Sequence, residues 1–348
     1  MSMTFNAGAA EIKDMDSDNI YDIAKKLNIN ASTVSRAMSK PELVSAKTRK
    51  RVLEAAEELG YMPNMIASQL RSQDSSIIAL ISLEPVWSWY TDRVLNGAEE
   101  KVREYGYSIV ALSSNIKSYM ENIQFCEQMR FAGVILFSTE IGYNDETVES
   151  NIPIVYINRR NVSSRIILPD EAYGIQLAFD YLVSMGHSKI GMISGSALSI
   201  HSHMRHDAYA QLMKSKGYPI IKKWCGEAHD WRKEETYEIA CGIFRQNELP
   251  TALLVGDDLM CTGVYKAARE FGLKVGKDIS VVGYNDDDRA EYMYPALTTV
   301  QFPLYEMGVQ AVTMLVSVIR GRLYQESVMV RGKLIVRDSV SQVENSNK

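Results

Sequence analysis

Long apolar runs are missing from this sequence of 348 residues. No stretch approaches the roughly 18–20 successive apolar residues that a membrane-spanning helix needs. Cysteine is scarce: Cys126, Cys225, Cys241 and Cys261 include no C-x-x-C pair, which argues against a disulfide framework and a zinc knuckle and predicts reduced, mostly buried thiols. Residues 1–18 lack the basic-then-apolar pattern of a secretory signal, so we expect a cytoplasmic protein without a membrane span.

The signatures of common catalytic classes are missing too. The sequence contains no P-loop, no G-x-S-x-G elbow and no H-E-x-x-H pair. His201, His203 and His206 lie close together, but their spacing gives no fixed i, i+4 face and no cysteine accompanies them, so neither a metal nor a cofactor is predicted. The sequence shows no catalytic constellation, so we do not expect an enzyme. A solute-binding protein without DNA and a sugar-processing α/β enzyme stay open as alternatives.

Charge is distributed unevenly along the chain. The net charge is −5, yet residues 19–72 hold nine Lys and Arg against five Asp and Glu, a charge of +4. The length corresponds to about two or three domains of roughly 150 residues. A small basic N-terminal module joined to a larger acidic one is therefore predicted, and the basic module is the part suited to nucleic acid.

Two short helices begin the basic module. Ile20, Ile23, Ala24 and Leu27 are spaced at i, i+3, i+4 and i+7, which places them on one helix face. Asn28-Ile29-Asn30 interrupts this pattern, and Asn30 is a good N-cap for a second helix that begins at Ala31. Two helices separated by about three residues predict a helix-turn-helix.

The second helix has one apolar and one polar face. Val34, Ala37 and Met38 are predicted to point inward. The outward positions carry short side chains and one guanidinium, which suit the reading of a DNA groove: Ala31, Ser32, Thr33, Ser35 and Arg36. A third helix is predicted from the N-cap Ser45 to Gly60, with Lys47, Arg49, Lys50 and Arg51 in its first turns. These cations suit a nearby phosphate, although a solvated basic face is the alternative.

The N-terminal segments carry a resemblance to a known family. The segments are Ile20-Tyr21-Asp22-Ile23-Ala24, Ala31-Ser32-Thr33-Val34-Ser35-Arg36, Val44-Ser45-Ala46-Lys47-Thr48-Arg49, Gly60-Tyr61-Met62-Pro63-Asn64 and Ala67-Ser68-Gln69-Leu70-Arg71. Together they resemble the DNA-binding headpiece and hinge of the lactose/galactose repressor family of bacterial transcription regulators. By that resemblance Ala31, Ser32 and Arg36 face bases in the major groove. Thr33, Ser35 and Thr48 lie on phosphates. Ser39 departs from the family, which commonly has Asn there.

Beyond Pro63 the sequence predicts a short hinge helix. Asn64 can cap a helix over Met65–Leu70, which is followed by the polar linker 72–76. Such a short helix is marginal in water by itself. The resemblance implies that it orders when two subunits pair on DNA and that Leu70 then wedges into the minor groove. A linker leucine packed on the next domain is the alternative for Leu70.

From residue 76 the pattern changes to alternating strands and helices. Short apolar runs predict buried parallel strands at 77–81, 108–112, 134–137, 154–157, 190–194, 252–255 and 279–283. Intervening helical segments are predicted to end at Gly106, near Gly133, near Ser150, and at Gly186, Gly217 and Gly272. The sequence therefore predicts two doubly wound α/β lobes.

Ligands of such sheets bind beyond the carboxyl ends of the strands. The polar and aromatic residues that follow the strands are Trp89, Tyr90, Asn158, Arg159, Arg205, Asp257, Asp258, Asn285 and Asp286, and Trp231 lies alone in a polar stretch. A guanidinium, carboxylates and amides around an aromatic plate suit a polyhydroxyl ligand. The sequence thus predicts a small-molecule effector, a mono- or oligosaccharide.

This second module also resembles the family, whose effector-binding core is similar to periplasmic sugar-binding proteins. The resemblance is carried by 182–187, the helix containing Arg205 and Tyr209, 278–284 and 295–300. It implies that Arg205 grips the ligand and that Trp231 stacks on it. Asn158, Asp257 and Asn285 stand where the family often has Asp, Asn and Asp, and Phe302 stands where Gln is usual. These departures concern the effector's identity.

Each of these residues has a structural alternative. Arg205 can belong to an internal ion pair. Asp257 or Asp258 can cap the following helix instead of touching a ligand. Trp231 can be a core or surface residue.

The sequence as a whole predicts a transcription regulator, expected to be a repressor, whose operator affinity a small molecule controls. The fold class is α/β: an N-terminal helix-turn-helix headpiece plus a two-lobed, periplasmic-binding-protein-like, doubly wound effector domain. The predicted segments are a polar tail (1–18), the headpiece (19–63), the hinge (64–75) and the effector-binding and dimerisation domain (76–348). The expected partners are operator DNA, the effector and a second copy of the chain. Residues 342–348 lack leucine heptads, which favours a homodimer over a tetramer.

Overall fold

The computed structural model describes residues 20–39, 43–61, 75–85, 88–115, 117–138, 148–159, 162 and 164–343. The chain divides into two compact units, Met1–Asp74 and Ser75–Lys348. The predicted tail, the predicted hinge with Asn64 and Leu70, and Pro41 lie outside the described residues. So does most of the segment where a helix ending near Ser150 was expected.

The first unit contains the three predicted helices, α1 (Ile20–Leu27), α2 (Ala31–Ser39) and α3 (Ala46–Glu58). Their inner faces form one small core in which Ile23, Val34 and Val52 are fully buried. The predicted cap of α3 is confirmed, because the Ser45 hydroxyl accepts a hydrogen bond from the backbone N–H of Thr48 at 3.2 Å.

The second unit contains two lobes, each built on a six-stranded sheet. Its helices are α4 (Trp89–Glu104), α5 (Tyr119–Gln128), α6 (Glu171–Ser184), α7 (Ile200–Ser215), α8 (Lys233–Phe244), α9 (Asp258–Glu270), α10 (Asp288–Tyr292) and α11 (Leu304–Ile319). Its strands are β1 (Ile77–Ser82), β2 (Ser108–Ser113), β3 (Gly133–Phe137), β4 (Ile154–Ile157), β5 (Ile166–Pro169), β6 (Ile190–Ser194), β7 (Cys225–Glu227), β8 (Ala252–Val255), β9 (Ser280–Asn285), β10 (Thr298–Gln301), β11 (Ser327–Val330) and β12 (Lys333–Ile335).

Lobe 1 has the strand order β11-β5-β4-β3-β1-β2, and all its neighbouring strands are parallel. Lobe 2 has the order β12-β10-β9-β8-β6-β7, in which only β12 runs antiparallel to its neighbour. The seven predicted strands are present as β1–β4, β6, β8 and β9. The predicted burial is wrong for β2, whose residues are exposed or half-buried because it lies at the edge of its sheet. The strands β5, β7, β10, β11 and β12 were not predicted.

The chain crosses between the lobes three times: from β5 into α6, from β10 into α11, and from β11 into β12. Helix α11 returns to lobe 1, where it packs on α4. The contact is tight because two glycines face the partner helix. A Cβ at Gly97 would overlap the carbonyl oxygen of Tyr305, and a Cβ at Gly308 would overlap that of Val94. Lobe 1 therefore contains a segment that is distant in sequence, and three chain crossings connect it to lobe 2.

Among the described helices, none is long and apolar enough to cross a membrane. The four thiols are free, three of them buried and Cys225 half-buried. Over the described ranges, no three His, Cys, Asp or Glu side chains are grouped as a metal site.

Candidate functional site

The surface of α2 agrees with the prediction in part. Ser32 and Arg36 are exposed and Thr33 and Ser35 are half-buried, whereas Ala31, which was predicted to point outward, is half-buried and packs against the core of the three helices. The Arg36 guanidinium lies back along its own helix, with Nε 3.2 Å from the Ser32 carbonyl oxygen and Nη2 3.4 Å from the Ser32 hydroxyl. Both contacts are long and lie at the surface, so the guanidinium can exchange them for DNA at little cost.

Thr48 lies at the start of α3, where its hydroxyl is 2.9 Å from that of Ser45. The same turns of α3 carry the exposed cations Lys47, Arg49, Lys50 and Arg51. Lys50 pairs with Glu54 at 3.8 Å, a distance and exposure at which an ion pair contributes little. A basic surface thus accompanies α2 within the first unit.

The second candidate site is the cleft at the carboxyl ends of the lobe 2 strands, which is faced by lobe 1. Asn285 is the last residue of β9, Asp257 follows β8, and Arg205 extends from α7. From lobe 1, Tyr90 at the beginning of α4 reaches Asn285, and Asn158, which follows β4, reaches His201 on α7. Sequence positions far apart are therefore brought to one place.

Arg205 is engaged in the ion pair that the sequence left open as an alternative. Its Nε lies 2.7 Å from Glu171 Oε2 and its Nη2 lies 3.2 Å from Glu171 Oε1, while Nη1 donates to the Gly256 carbonyl at 2.7 Å. Its guanidinium carbon is 3.7 Å from the centre of the Tyr284 ring. Arg205 is 4% exposed and Glu171 is 0% exposed.

The electrostatics of this pair follow from its burial. Burial by itself raises the pKa of Glu171, but the charge of Arg205 and the hydrogen bond from His201 outweigh it and hold that pKa well below its ordinary value of 4.5. Burial by itself lowers the pKa of Arg205, but the neighbouring Glu171 carboxylate outweighs burial and holds that pKa above its ordinary value. Both groups are ionised, and each is required to stabilise the other.

His201 links this pair to lobe 1. Its Nδ1 is 2.5 Å from Glu171 Oε1, and its Nε2 is 3.0 Å from the amide nitrogen of Asn158. The same amide nitrogen donates to the Ser138 carbonyl at 2.9 Å, which fixes the orientation of the amide. Because an amide N–H can only donate, Nε2 accepts and the proton of His201 lies on Nδ1. A continuous chain of hydrogen bonds therefore runs from Arg205 to lobe 1.

A second interlobe contact joins Tyr90 to Asp257 and Asn285. The Asn285 amide nitrogen donates to Asp257 Oδ2 at 2.5 Å and to the Tyr90 hydroxyl at 3.2 Å, and that hydroxyl lies 3.5 Å from the same carboxylate oxygen. Burial raises the pKa of the Asp257 carboxyl, and burial together with Asp257 raises the pKa of Tyr90. Asp257 also caps α9 by accepting a hydrogen bond from the backbone N–H of Leu259 at 2.6 Å, which confirms the capping interpretation, while its contact with a ligand stays a prediction.

The aromatic candidates lie beside these groups. The Trp231 ring is half-buried, lies 5.7 Å from the Arg205 guanidinium, and covers Gly195 so closely that a Cβ there would overlap the indole. Trp89 stacks edge-on to Tyr90 at 5.0 Å. Its indole N–H is buried and has no acceptor within the described residues. Phe302 lies 5.7 Å from Arg205.

Three candidates from the sequence have other roles. Asp258 is fully buried and accepts hydrogen bonds from the Thr299 hydroxyl and the Asp287 backbone, so it holds α9 against the sheet. Asp286 pairs with Arg337 at 2.8 Å. Arg159 is buried between the rings of Tyr119 and Tyr156.

The sequence analysis missed Glu171 and His201. Asp170 and Glu171 begin α6, where acidic residues are ordinary caps, so nothing local distinguished Glu171. His201 was considered only as part of a metal cluster. His203 instead bonds the Ala197 carbonyl, and His206 lies exposed near Asp207.

A helix-turn-helix unit joined to a two-lobed binding fold defines a DNA-binding regulator that responds to a ligand. Residues 19–64 match the model of the bacterial regulatory proteins of the lacI family, and residues 179–340 match that of a periplasmic binding protein-like domain. The HTH-type transcriptional repressor PurR of Serratia proteamaculans is 30% identical over 335 residues, which cover 92% of this chain and 96% of that protein. PurR of Pasteurella multocida is 28% identical over 331 residues, 92% and 98% of the two chains.

The chain belongs to the lacI family of bacterial regulatory proteins. The Lac repressor bound to ONPG in its repressed state superposes with a TM-score of 0.76 at 25% identity, covering 93% of this chain and 99% of the repressor. The regulator CelR in complex with cellobiose has a TM-score of 0.65 at 23% identity, covering 92% and 99%. The protein is a DNA-binding transcription regulator with a small-molecule effector domain, and its relatives are transcriptional repressors rather than enzymes.

Proposed function

We propose that the protein is a homodimeric repressor that acts in the cytoplasm, where its operator DNA is located, and whose effector is a saccharide bound between the lobes. The observation that carries the saccharide assignment is the half-buried Trp231 ring beside a set of fixed donors and acceptors, Asn158, Arg205, Asp257 and Asn285. An indole covers the apolar face of a sugar ring, and amides, carboxylate and guanidinium suit its hydroxyls. Trp89 Nε1 and Tyr90 complete the set from lobe 1.

On the DNA side, we propose that Ala31, Ser32 and Arg36 contact bases and that Thr33, Ser35 and Thr48 contact phosphates. The exposure of Ser32 and Arg36 on α2 and the partial exposure of Thr33, Ser35 and Thr48 support the assignment. A homodimer reads the two halves of a pseudo-palindromic operator, one headpiece (19–63) on each. The hinge (64–75) orders on DNA, capped by Asn64, and Leu70 wedges into the central minor groove.

The effector controls DNA binding through the relative position of the lobes. Two hydrogen-bonded contacts between the lobes lie among the candidate ligand residues, Asn158 with His201 and Tyr90 with Asn285, and both depend on how closely the lobes approach. A ligand that bonds these same groups favours one lobe arrangement over the other. It changes operator affinity only by its differential binding to the two arrangements. The hinges transmit the difference to the paired headpieces.

The experiment has three readouts on the full chain. Light scattering gives the mass in solution, and we expect twice the chain mass. Selection from random DNA, followed by anisotropy, gives the operator and its affinity. Calorimetry against neutral mono- and disaccharides, cellobiose included, and against nucleobases gives the effector class.

We expect a saccharide to bind and to change operator affinity by about 5- to 150-fold. The matched variants are Trp231→Ala, which should lose the sugar, and Trp224→Ala, which removes a tryptophan packed in the lobe 2 core and serves as the control for stability. Binding of nucleobases in place of every sugar would contradict the saccharide assignment, and a monomer that binds the operator would contradict the dimer.

A further inference from the structure

The Glu171 carboxylate occupies one edge of the Arg205 guanidinium and cancels its charge. Nε and Nη2 form this side-on edge, which can bind carboxylate or phosphate with two parallel hydrogen bonds, and Nη1 and Nη2 form a second, end-on edge. Glu171 takes both prongs, at 2.7 and 3.2 Å, and the Gly256 carbonyl takes a third N–H at 2.7 Å. Of the five N–H groups of Arg205, two remain, one on each terminal nitrogen.

The charge at this end of the cleft is therefore already balanced. Glu171 and Arg205 cancel, and His201 adds no charge with its proton on Nδ1 and its Nε2 accepting from Asn158. Asp257 is the next acidic group, and its carboxylate oxygen faces Asn285 and Tyr90. Three cations of the described residues around the cleft have partners of their own: Arg159 lies against aromatic rings in lobe 1, Arg289 is bonded to Asp287, and Arg93 pairs with Asp288.

An anion entering this environment meets the Asp257 carboxylate and an Arg205 charge that Glu171 already cancels. Buried like charges repel strongly because little water screens them. An uncharged hydroxyl has no such penalty and can still accept from the two remaining N–H groups of Arg205 or donate to Asp257. We propose that Glu171 is the specificity-determining residue of the cleft. Because of Glu171, the cleft accepts uncharged polyhydroxyl ligands and rejects their phosphorylated or carboxylated counterparts. The acceptance of a sugar rests on the proposed function. The rejection of anions rests on the ion pair between Glu171 and Arg205 alone.

The first arm of the test uses inorganic phosphate as the probe, so it needs no knowledge of the effector. Binding is followed by phosphorus NMR and by thermal shift, with chloride at matched ionic strength as the reference. The wild-type protein should show no saturable binding at millimolar phosphate. Glu171→Gln, which keeps the shape and removes the charge, should bind phosphate at least about tenfold more tightly. The control is Glu248→Gln, which removes one exposed charge from the same lobe and should behave as the wild type.

The second arm compares matched ligands on the wild-type protein: glucose with glucose 6-phosphate, trehalose with trehalose 6-phosphate, and cellobiose with cellobionate. The neutral member of each binding pair should bind at least about tenfold more tightly. If Glu171→Gln does not fold, this arm decides by itself. Equal or tighter binding of the anionic member overturns the inference, and so does phosphate binding that is the same in wild type and Glu171→Gln.

The experiments can refute the saccharide assignment and the role of Glu171 independently of each other. If no sugar binds, the saccharide assignment fails, while the phosphate arm still shows whether Glu171 excludes anions. If a sugar phosphate binds and changes operator affinity, the regulator stands and the role of Glu171 is refuted.

Discussion

The Glu171 carboxylate receives two hydrogen bonds from one guanidinium, from Arg205 Nε at 2.7 Å and from Arg205 Nη2 at 3.2 Å. The two side chains come from different helices, α6 and α7, and both are buried. The pair thus fastens two helices of lobe 2 at the edge of the cleft, and it is a structural element as well as part of the candidate site.

Arg205→Ala should lower the free energy of unfolding by about 3–5 kcal/mol, because it leaves the Glu171 charge buried without its partner. The double variant Glu171→Met/Arg205→Met should recover much of that loss, since no charge is then left unpaired. Urea denaturation of the two variants and the wild type measures the difference. A double variant as unstable as Arg205→Ala would show that packing, and not charge, dominates at this place.

The free energy of unfolding of lobe 2 should depend on pH, and the ionisation of Glu171 should account for part of this dependence. Its pKa is lowered in the folded protein, so its contribution is fully present above its ordinary value of 4.5 and is lost as the pH falls below that value. Asp257 and Asp258 act oppositely, because burial raises their pKa values and their contribution is lost as the pH rises above 3.8. The difference between wild type and Glu171→Gln isolates the first effect. We expect that difference to shrink between pH 5 and 3, and a constant difference would contradict the ion pair.

The contact between α4 and α11 should be intolerant of side chains at its glycines. Gly308→Ala places a methyl group against the Val94 carbonyl and within 2.9 Å of the Ala98 backbone nitrogen, and it should destabilise the protein by about 1–3 kcal/mol. Gly242→Ala is the matched control, because that glycine lies within α8 with nothing near its Cβ position. It should stabilise by about 0.5–1 kcal/mol, through helix propensity alone. Equal effects at both positions would refute the close approach.

Arg36→Ala should weaken specific operator binding by about 1–3 kcal/mol if the guanidinium reads a base. Binding to random DNA should change much less. Anisotropy with operator and scrambled duplexes at fixed salt measures both affinities. An equal loss on the two duplexes would assign Arg36 to a phosphate instead of a base.

Seven strands were predictable because each is a continuous apolar run, and β3 and β8 are buried along their whole length. One of the seven, β2, lies at the edge of its sheet. The interior strands β5 and β10 and the edge strands β7, β11 and β12 were not predicted. β7 and β12 have three residues each, and β11 pairs with β5 although the partners Ser327 and Ile166 are 161 positions apart, which no local pattern encodes.

The candidate site divides in the same way. Arg205, Asp257 and Asn285 were predictable as polar residues near the ends of strands or on a matching helix. The sequence left open whether Arg205 is paired, and it gave no signal for Glu171 because an acidic residue at a helix N-terminus is ordinary. Which partner a buried charge takes depends on how the helices pack, and packing is not a local property.

Reciprocity between effector and operator is the most direct test of the account. Operator affinity is measured with and without the saccharide that binds, and saccharide affinity is measured with and without operator. If the cleft and the headpieces share one equilibrium, the saccharide changes operator affinity by the same factor, of about 5 to 150, as the operator changes saccharide affinity. Trp231→Ala should still bind operator but should no longer respond to the saccharide. A saccharide that binds the cleft and leaves operator affinity unchanged would contradict the central claim.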